Sequence, residues 1–160
     1  MVKDAGGPAL LETFVVTMNH PRTFGRELAL QYLYMHDLLE GREVQSFDEY
    51  VAAQQPVPDP ASVEFARGLI SNVLTHREEL DGEIAGVATN WNIARMSAVD
   101  RNVLRLSLAE LLSFPDTSHK IILNEAVELA KRYSSEDAGA FVNGLLDRLR
   151  AKMRPNTAQA

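Results

Sequence analysis

The amino-acid sequence predicts an all-α protein, a compact bundle of about six or seven helices. Three observations carry that expectation. Apolar residues recur at helical spacing in one stretch after another. Proline, glycine and short polar residues fall at the ends of those stretches, where helices start and stop. No stretch of useful length alternates apolar and polar residues as a half-buried strand would. The length of 160 residues is that of one domain, and 46% hydrophobic residues suffice for an ordinary core.

Residues 1–20 read as a loosely held N-terminal extension, because Gly6, Gly7 and Pro8 break structure and Asn19-His20-Pro21 forms a turn. Met18 lies just before the first helix and is expected to be an alternative or true start. That helix spans Arg22 to Leu39, with Phe24, Leu28, Tyr32, Met35 and Leu39 on one face and Gly41 in a left-handed cap. Residues 40–64 are acidic. A short helix over Asp48 to Ala53 is expected there, ended by Pro56, Pro58 and Pro60, which impose an extended linker. Phe65, Ala66, Leu69, Ile70, Val73 and Leu74 form the stripe of the next helix, and Glu78 to Val87 forms another.

Ser97 and Asp100 have capping-box spacing and open a helix through Leu112. Val99, Val103, Leu104, Leu106, Leu108, Leu111 and Leu112 make it apolar nearly all round, which places it in the centre of the bundle. Pro115 closes it. A helix over Lys120 to Tyr133 follows, and a last one opens at Ser135 with Glu136 and Asp137 in its first turn, where the helix dipole favours acids. Asn143 and Gly144 lie inside that helix. A glycine there costs about 1 kcal/mol against alanine, so close approach of another helix is expected at Gly144. The organisation is an extension over 1–20, a helical domain over 21–150 and a basic tail over 151–160. Arg148 and Arg150 at the end of the domain, with Lys152 and Arg154 in the tail, form a basic run that suits a solvated helix end.

Chemistry is sparse. There is no Cys, so disulfides and thiolate catalysis are excluded. His20, His36, His76 and His119 never form the i, i+4 pair of a helical zinc site, and no metal is expected. No phosphate-binding glycine loop, nucleophile elbow or dinucleotide fingerprint is present. No enzyme and no cofactor are expected. No apolar run approaches the roughly 20 residues of a membrane helix, and Ala9 to Met18 is a poor signal peptide, so a cytoplasmic protein is expected. The net charge of −6 is unevenly spread: residues 1–90 carry 14 acids and 6 bases, residues 91–160 carry 8 and 10. A local anion site is therefore compatible with an acidic whole.

Two stretches carry a family resemblance. Arg95-Met-Ser-Ala-Val-Asp-Arg-Asn-Val-Leu-Arg-Leu-Ser-Leu-Ala-Glu-Leu-Leu112 is the first. Ile122-Leu-Asn-Glu-Ala-Val-Glu-Leu-Ala-Lys-Arg-Tyr133, continuing to Phe141-Val-Asn-Gly-Leu-Leu-Asp-Arg148, is the second. Both resemble signature helices of the NusB family of transcription antitermination factors. Arg26-Glu-Leu-Ala-Leu-Gln-Tyr-Leu-Tyr34 resembles the family's first helix. The resemblance implies a NusB-like fold of two small helical subdomains. It implies binding of boxA-type single-stranded RNA from ribosomal RNA leaders, together with NusE, a small-subunit ribosomal protein. It implies that the complex joins the RNA polymerase elongation complex with other Nus factors, and that the chain is a monomer or a homodimer. Two departures stand out. The arginine-rich run usual before the first helix is reduced to Arg22 and Arg26, so fewer phosphates are held. The glycine usual after the sixth helix is Ser134, so that helix is expected to be slightly strained or to end differently. The rival expectation is a protein-only adaptor with weakened RNA binding.

On this resemblance the RNA-binding candidates are Arg22, Arg26, Tyr34, Asp137 and Phe141, and the NusE-binding candidates are Asp100, Arg101 and Arg105. Each has a second reading. Arg22 and Arg26, four apart on one face, suit two phosphates or are simply solvated. Tyr34 stacks an unpaired base or is partly buried beside Leu33. Phe141 faces RNA or belongs to the core stripe. Asp137 meets RNA, serves the helix dipole, or both. Asp100 meets the partner or completes the Ser97 capping box. Arg101 and Arg105 line the same partner face or pair with Asp100 and solvent.

Overall fold

Proline lacks a donor that the first turn of a helix does not use, so Pro21 opens α1 (Pro21–Leu38) without loss. The computed structural model describes residues 21–153. The extension over 1–20, with Met18, and the end of the tail with Arg154 lie outside the described residues. Helix α1 ends in a Schellman pair: Glu40 N–H donates to Asp37 O and Gly41 N–H to His36 O, both at 3.0 Å. The left-handed cap residue is Glu40, at φ 53°, and Gly41 follows at 76°. The cap thus falls one residue before the glycine expected to fill it. Leu39, past the helix end, is exposed instead of continuing the stripe.

Ser46 caps α2 (Phe47–Ala52) with a complete capping box to Glu49. The expected linker is shorter than the prolines suggest. Asp59 accepts from Ser62 N, and Pro60 becomes the first residue of α3 (Pro60–Thr75). Helix α4 (Arg77–Val87) follows directly, His76 ending one helix and starting the other. A short 3-10 turn (Ile93–Arg95) leads to α5 (Ala98–Ser113). Ser97 accepts from Asp100 N at 3.0 Å. The reciprocal half of the capping box is missing: Asp100 Oδ1 is buried with no hydrogen-bond partner among the described residues. Aspartate is one methylene shorter than the glutamate that usually reaches back.

Helix α5 is the central element. It packs against α1, α3, α4, α6 and α7. Val103, Leu104, Leu106 and Ala109 are 0% exposed and Leu108 is 2%. Each fully buried leucine contributes about 1.5–3 kcal/mol. Two helix pairs flank it. Helices α1 and α3 pack closely, and a Cβ on Gly25 would lie 2.9 Å from both Phe65 Cδ2 and Ser62 O. Helices α6 (His119–Tyr133) and α7 (Glu136–Lys152) form the second pair, where a Cβ on Gly139 would lie 2.7 Å from Lys131 Cγ. Gly144, expected to mark a close approach, has nothing within 4 Å of an added Cβ. The intimate contacts fall at Gly25 and Gly139.

Ser134 ends α6 at φ −129°, outside the left-handed region. Its N–H and that of Ser135 both donate to Ala130 O, so the helix closes without the missing glycine. Ser135 then caps α7 by accepting from Ala138 N. Helix α7 runs through Lys152, two residues beyond the expected domain end. Among the described residues there is no strand, and no helix is long and apolar enough to cross a membrane.

Candidate RNA and partner interface

Helical spacing puts Arg22 and Arg26 on one face, but that face leads inward. Arg22 lies exposed at the rim, its guanidinium 5.1 Å from the Phe65 ring centre and 5.8 Å from that of Phe114, donating to Thr117 Oγ1 at 3.0 Å. Arg26, one turn on, is 4% exposed. Its Nε donates to Glu110 Oε1 at 2.8 Å and its NH1 to Glu125 Oε1 at 3.0 Å. Burial opposes the charge, but the hydrogen bonds and charge of Glu110, with Glu125 behind, outweigh it and raise the Arg26 pKa. Arg26 is therefore an internal ion-pair residue, and the expected two-arginine phosphate face retains only Arg22.

Arg101 and Arg105 are corrected in the same way. They turn towards the C-terminal end of α1 and meet Asp37, which is 8% exposed. Arg101 Nε donates to Asp37 Oδ2 at 2.7 Å, Asn102 Nδ2 at 2.8 Å and Arg105 NH1 at 3.3 Å. Arg105 also grips Asp81 with two parallel bonds of 2.7 and 2.9 Å. Burial raises the Asp37 pKa, yet hydrogen bonds from Arg101 and Asn102 and the two guanidinium charges hold it below the ordinary carboxylate value. Neither arginine pairs with Asp100. Arg101 ties α5 to α1, and Arg105 ties it to both α1 and α4.

Tyr34 is exposed, at the edge of a shallow hollow with Leu30, Gln31, Val99 and Tyr133. Beside it, Tyr133 donates to Glu27, and Gln31 donates to the Tyr133 oxygen at 2.9 Å. Burial, with Glu27 behind it, pushes the Tyr133 pKa up to about 12, so the phenol stays protonated.

Asp100, Asp137 and Phe141 do come together. They line one groove of about 360 Å³ between the start of α5 and the first turns of α7, with Trp91 and Arg95 from the α4–α5 connection. Asp137 is exposed in the first turn of α7. Phe141 is half-buried, neither wholly core nor open, and meets Trp91 at 5.1 Å with the rings at 66°. Trp91, which sequence reasoning passed over, is 58% exposed. A lone tryptophan between two asparagines in a polar connection was the available signal, since apolar stripes draw attention to helix faces and not to turns. Two of the five residues expected to bind RNA and one of the three expected to bind the partner thus share a wall.

This arrangement defines an all-helical binding platform whose open groove is aromatic and acidic. Among the described residues, no group of His, Asp and Glu is disposed to hold a metal ion. The sequence pattern of the NusB family matches residues 25–151, and the chain belongs to that family. It is 44% identical over 130 residues to the transcription antitermination protein NusB of Myxococcus xanthus, covering 80% of this chain and 93% of that protein. The structure of NusB from T. maritima superposes with a TM-score of 0.77 at 32% identity, covering 86% of this chain and 96% of that one. A chain from a crystal structure of antitermination factors NusB and NusE in complex with dsRNA superposes with a TM-score of 0.72 at 30% identity, covering 83% of this chain and 98% of that one.

Proposed function

We propose that this chain is a non-catalytic, cytoplasmic transcription antitermination factor that binds boxA-type single-stranded RNA of ribosomal RNA leaders jointly with the ribosomal protein NusE, and enters the RNA polymerase elongation complex with it. Family membership supports the role. The observation that carries it to residues is the groove that unites Asp100, Asp137 and Phe141. Arg22 is the candidate phosphate contact and Tyr34 a candidate stacking surface. Arg26, Arg101 and Arg105 act behind them, holding α1, α4 and α5 in register.

The burial of Arg26 favours a second reading, a protein-only adaptor, because it removes one of the few cations near the α1 entrance. Binding of a fluorescent boxA-like RNA, titrated at several salt concentrations with and without NusE, separates the two. The antitermination reading expects weak binding by the chain alone and tighter binding with NusE, with the enhancement reciprocal between the two ligands. Arg22→Ala is expected to reduce the slope of log affinity against log salt by about one. No preference of the complex for boxA-like over scrambled RNA would leave the adaptor in its place. Sedimentation of the free chain tests the homodimer that the family permits.

A further inference from the structure

A separate groove, of about 430 Å³, lies between α4 and the C-terminal ends of α3, α5 and α7. Its floor is Leu80, Leu108 and Leu149, each 2% exposed, and Leu112 stands in its wall 55% exposed. Leu112 and Asp100 are both on α5, about 18 Å apart along its axis, so this groove is remote from the one that holds Asp137 and Phe141. At its rim Lys152 Nζ lies 3.6 Å from Glu83 Oε1, so the two charges offset one another and the apolar floor dominates. An open apolar surface of this kind marks a place that another apolar segment covers.

The chain enters the described structure beside this groove. Arg22 donates to Thr117 Oγ1 at 3.0 Å, and its guanidinium lies 5.8 Å from the centre of the Phe114 ring. Phe114 directly follows Ser113, which lines the groove. Upstream of Pro21, Leu10, Leu11, Phe14, Val15 and Met18 recur as i, i+1, i+4, i+5 and i+8, the spacing of the α3 stripe. Residues 9–18 carry a single charge, Glu12, and Gly6, Gly7 and Pro8 precede this stretch without interrupting it. Phe14 can reach about 23 Å from Pro21, enough to cross the groove. The segment from Arg154 to Ala160 also leads away from the groove, through Met153, but it offers no large apolar side chain. We propose that residues 9–18 are the built-in occupant of this groove, with Leu11 and Phe14 packed against Leu108, Leu112 and Leu149. The tether gives the segment a local concentration on the order of millimolar, which a free partner rarely matches. A chain begun at Met18 would present the groove open, so the extension decides whether this apolar surface is available. The inference does not depend on the RNA-binding reading, and it replaces a loosely held extension by a docked one.

The chain has no cysteine, so Leu112→Cys places a lone thiol in the groove of the full chain. Leu39→Cys, exposed at the far end of α1, is the reference. Alkylation at Leu112→Cys is expected to be at least about tenfold slower than at Leu39→Cys. Adding Leu11→Asp and Phe14→Asp should bring it to the reference rate with helical circular dichroism unchanged. With Leu112 in place, the same two aspartates should lower Tm by at least about 4 °C. Equal alkylation of the two single variants overturns the docking, and so does a Tm that the aspartates leave unchanged. Protection that survives the aspartates assigns the cover to another segment, and protection that weakens on dilution assigns it to a second copy of the chain. Either result overturns the proposal.

Discussion

Removing the Arg26 side chain is expected to act on stability and not on RNA contact. Its partner Glu110 is 0% exposed, so Arg26→Ala leaves a carboxylate buried without its counter-charge. At 2.8 Å, and with an effective dielectric constant of about 20, the attraction lost is about 6 kcal/mol in gross terms. Relaxation and solvation of the freed glutamate return part of this, and breaking buried pairs costs about 3–5 kcal/mol net. Contact with the Phe65 ring, 5.3 Å from the guanidinium, is lost as well. In a domain of this size, that loss should lower Tm by roughly 10 °C. Urea melts followed by helical circular dichroism measure it. The double variant Arg26→Met with Glu110→Leu should recover much of the loss, since an apolar pair of similar volume replaces an ion pair at little cost. The reasoning fails if Arg26→Ala loses less than about 1 kcal/mol while reducing the salt slope of RNA binding, for the guanidinium would then be working at the surface.

Three further outcomes follow from the packing. Leu104→Ala and Leu108→Ala, both in the centre of α5, should each cost about 2–5 kcal/mol in chemical denaturation, and losses below about 0.5 kcal/mol at both would remove α5 from the centre. Gly25→Ala should destabilise by about 1–3 kcal/mol because its Cβ meets Phe65 and a backbone oxygen, whereas Gly144→Ala, facing open space, should stabilise by up to about 1 kcal/mol; thermal melts that reverse this order would contradict the α1–α3 approach. Asp37 has a folded pKa below its ordinary value of 3.8, so the folded state binds fewer protons there than the unfolded chain. Its contribution is complete above that ordinary value and is lost as pH falls from it through the lowered one. Asp37→Asn should therefore flatten the acid limb of stability against pH in that window, and an unchanged limb would show that the arginine cluster does not hold the carboxylate.

Much of the fold was legible because helices are written locally. The stripes over α1 and α3, the cap residues Ser97 and Ser135 and the all-round apolar surface of α5 are short-range patterns, and they mark elements that the structure contains. Pro60 shows the limit of that reading: a proline ends a helix or begins one according to what precedes it, and Asp59 decided for a beginning. The candidate site was legible in part. Asp100, Asp137 and Phe141 were picked out one by one, but that they share a groove with Trp91 depends on how the start of α5 packs against α7.

The sequence by itself determined the helix content, the central role of α5 and the family, because periodicity, caps and motif order are properties of neighbouring residues. Only the tertiary structure decided the fate of the charges and glycines. Arg22 and Arg26 are indistinguishable by spacing, and one lies at the rim while the other is enclosed by Glu110 and Glu125 from distant helices. Arg101 and Arg105 were drawn inward by Asp37 and Asp81. Gly139, not Gly144, was the glycine against its neighbouring helix. Whether a charge is buried or solvated depends on partners supplied by other elements, and whether a glycine is needed depends on what packs over it. Both are set by contacts between residues far apart in the chain, which a local pattern does not encode.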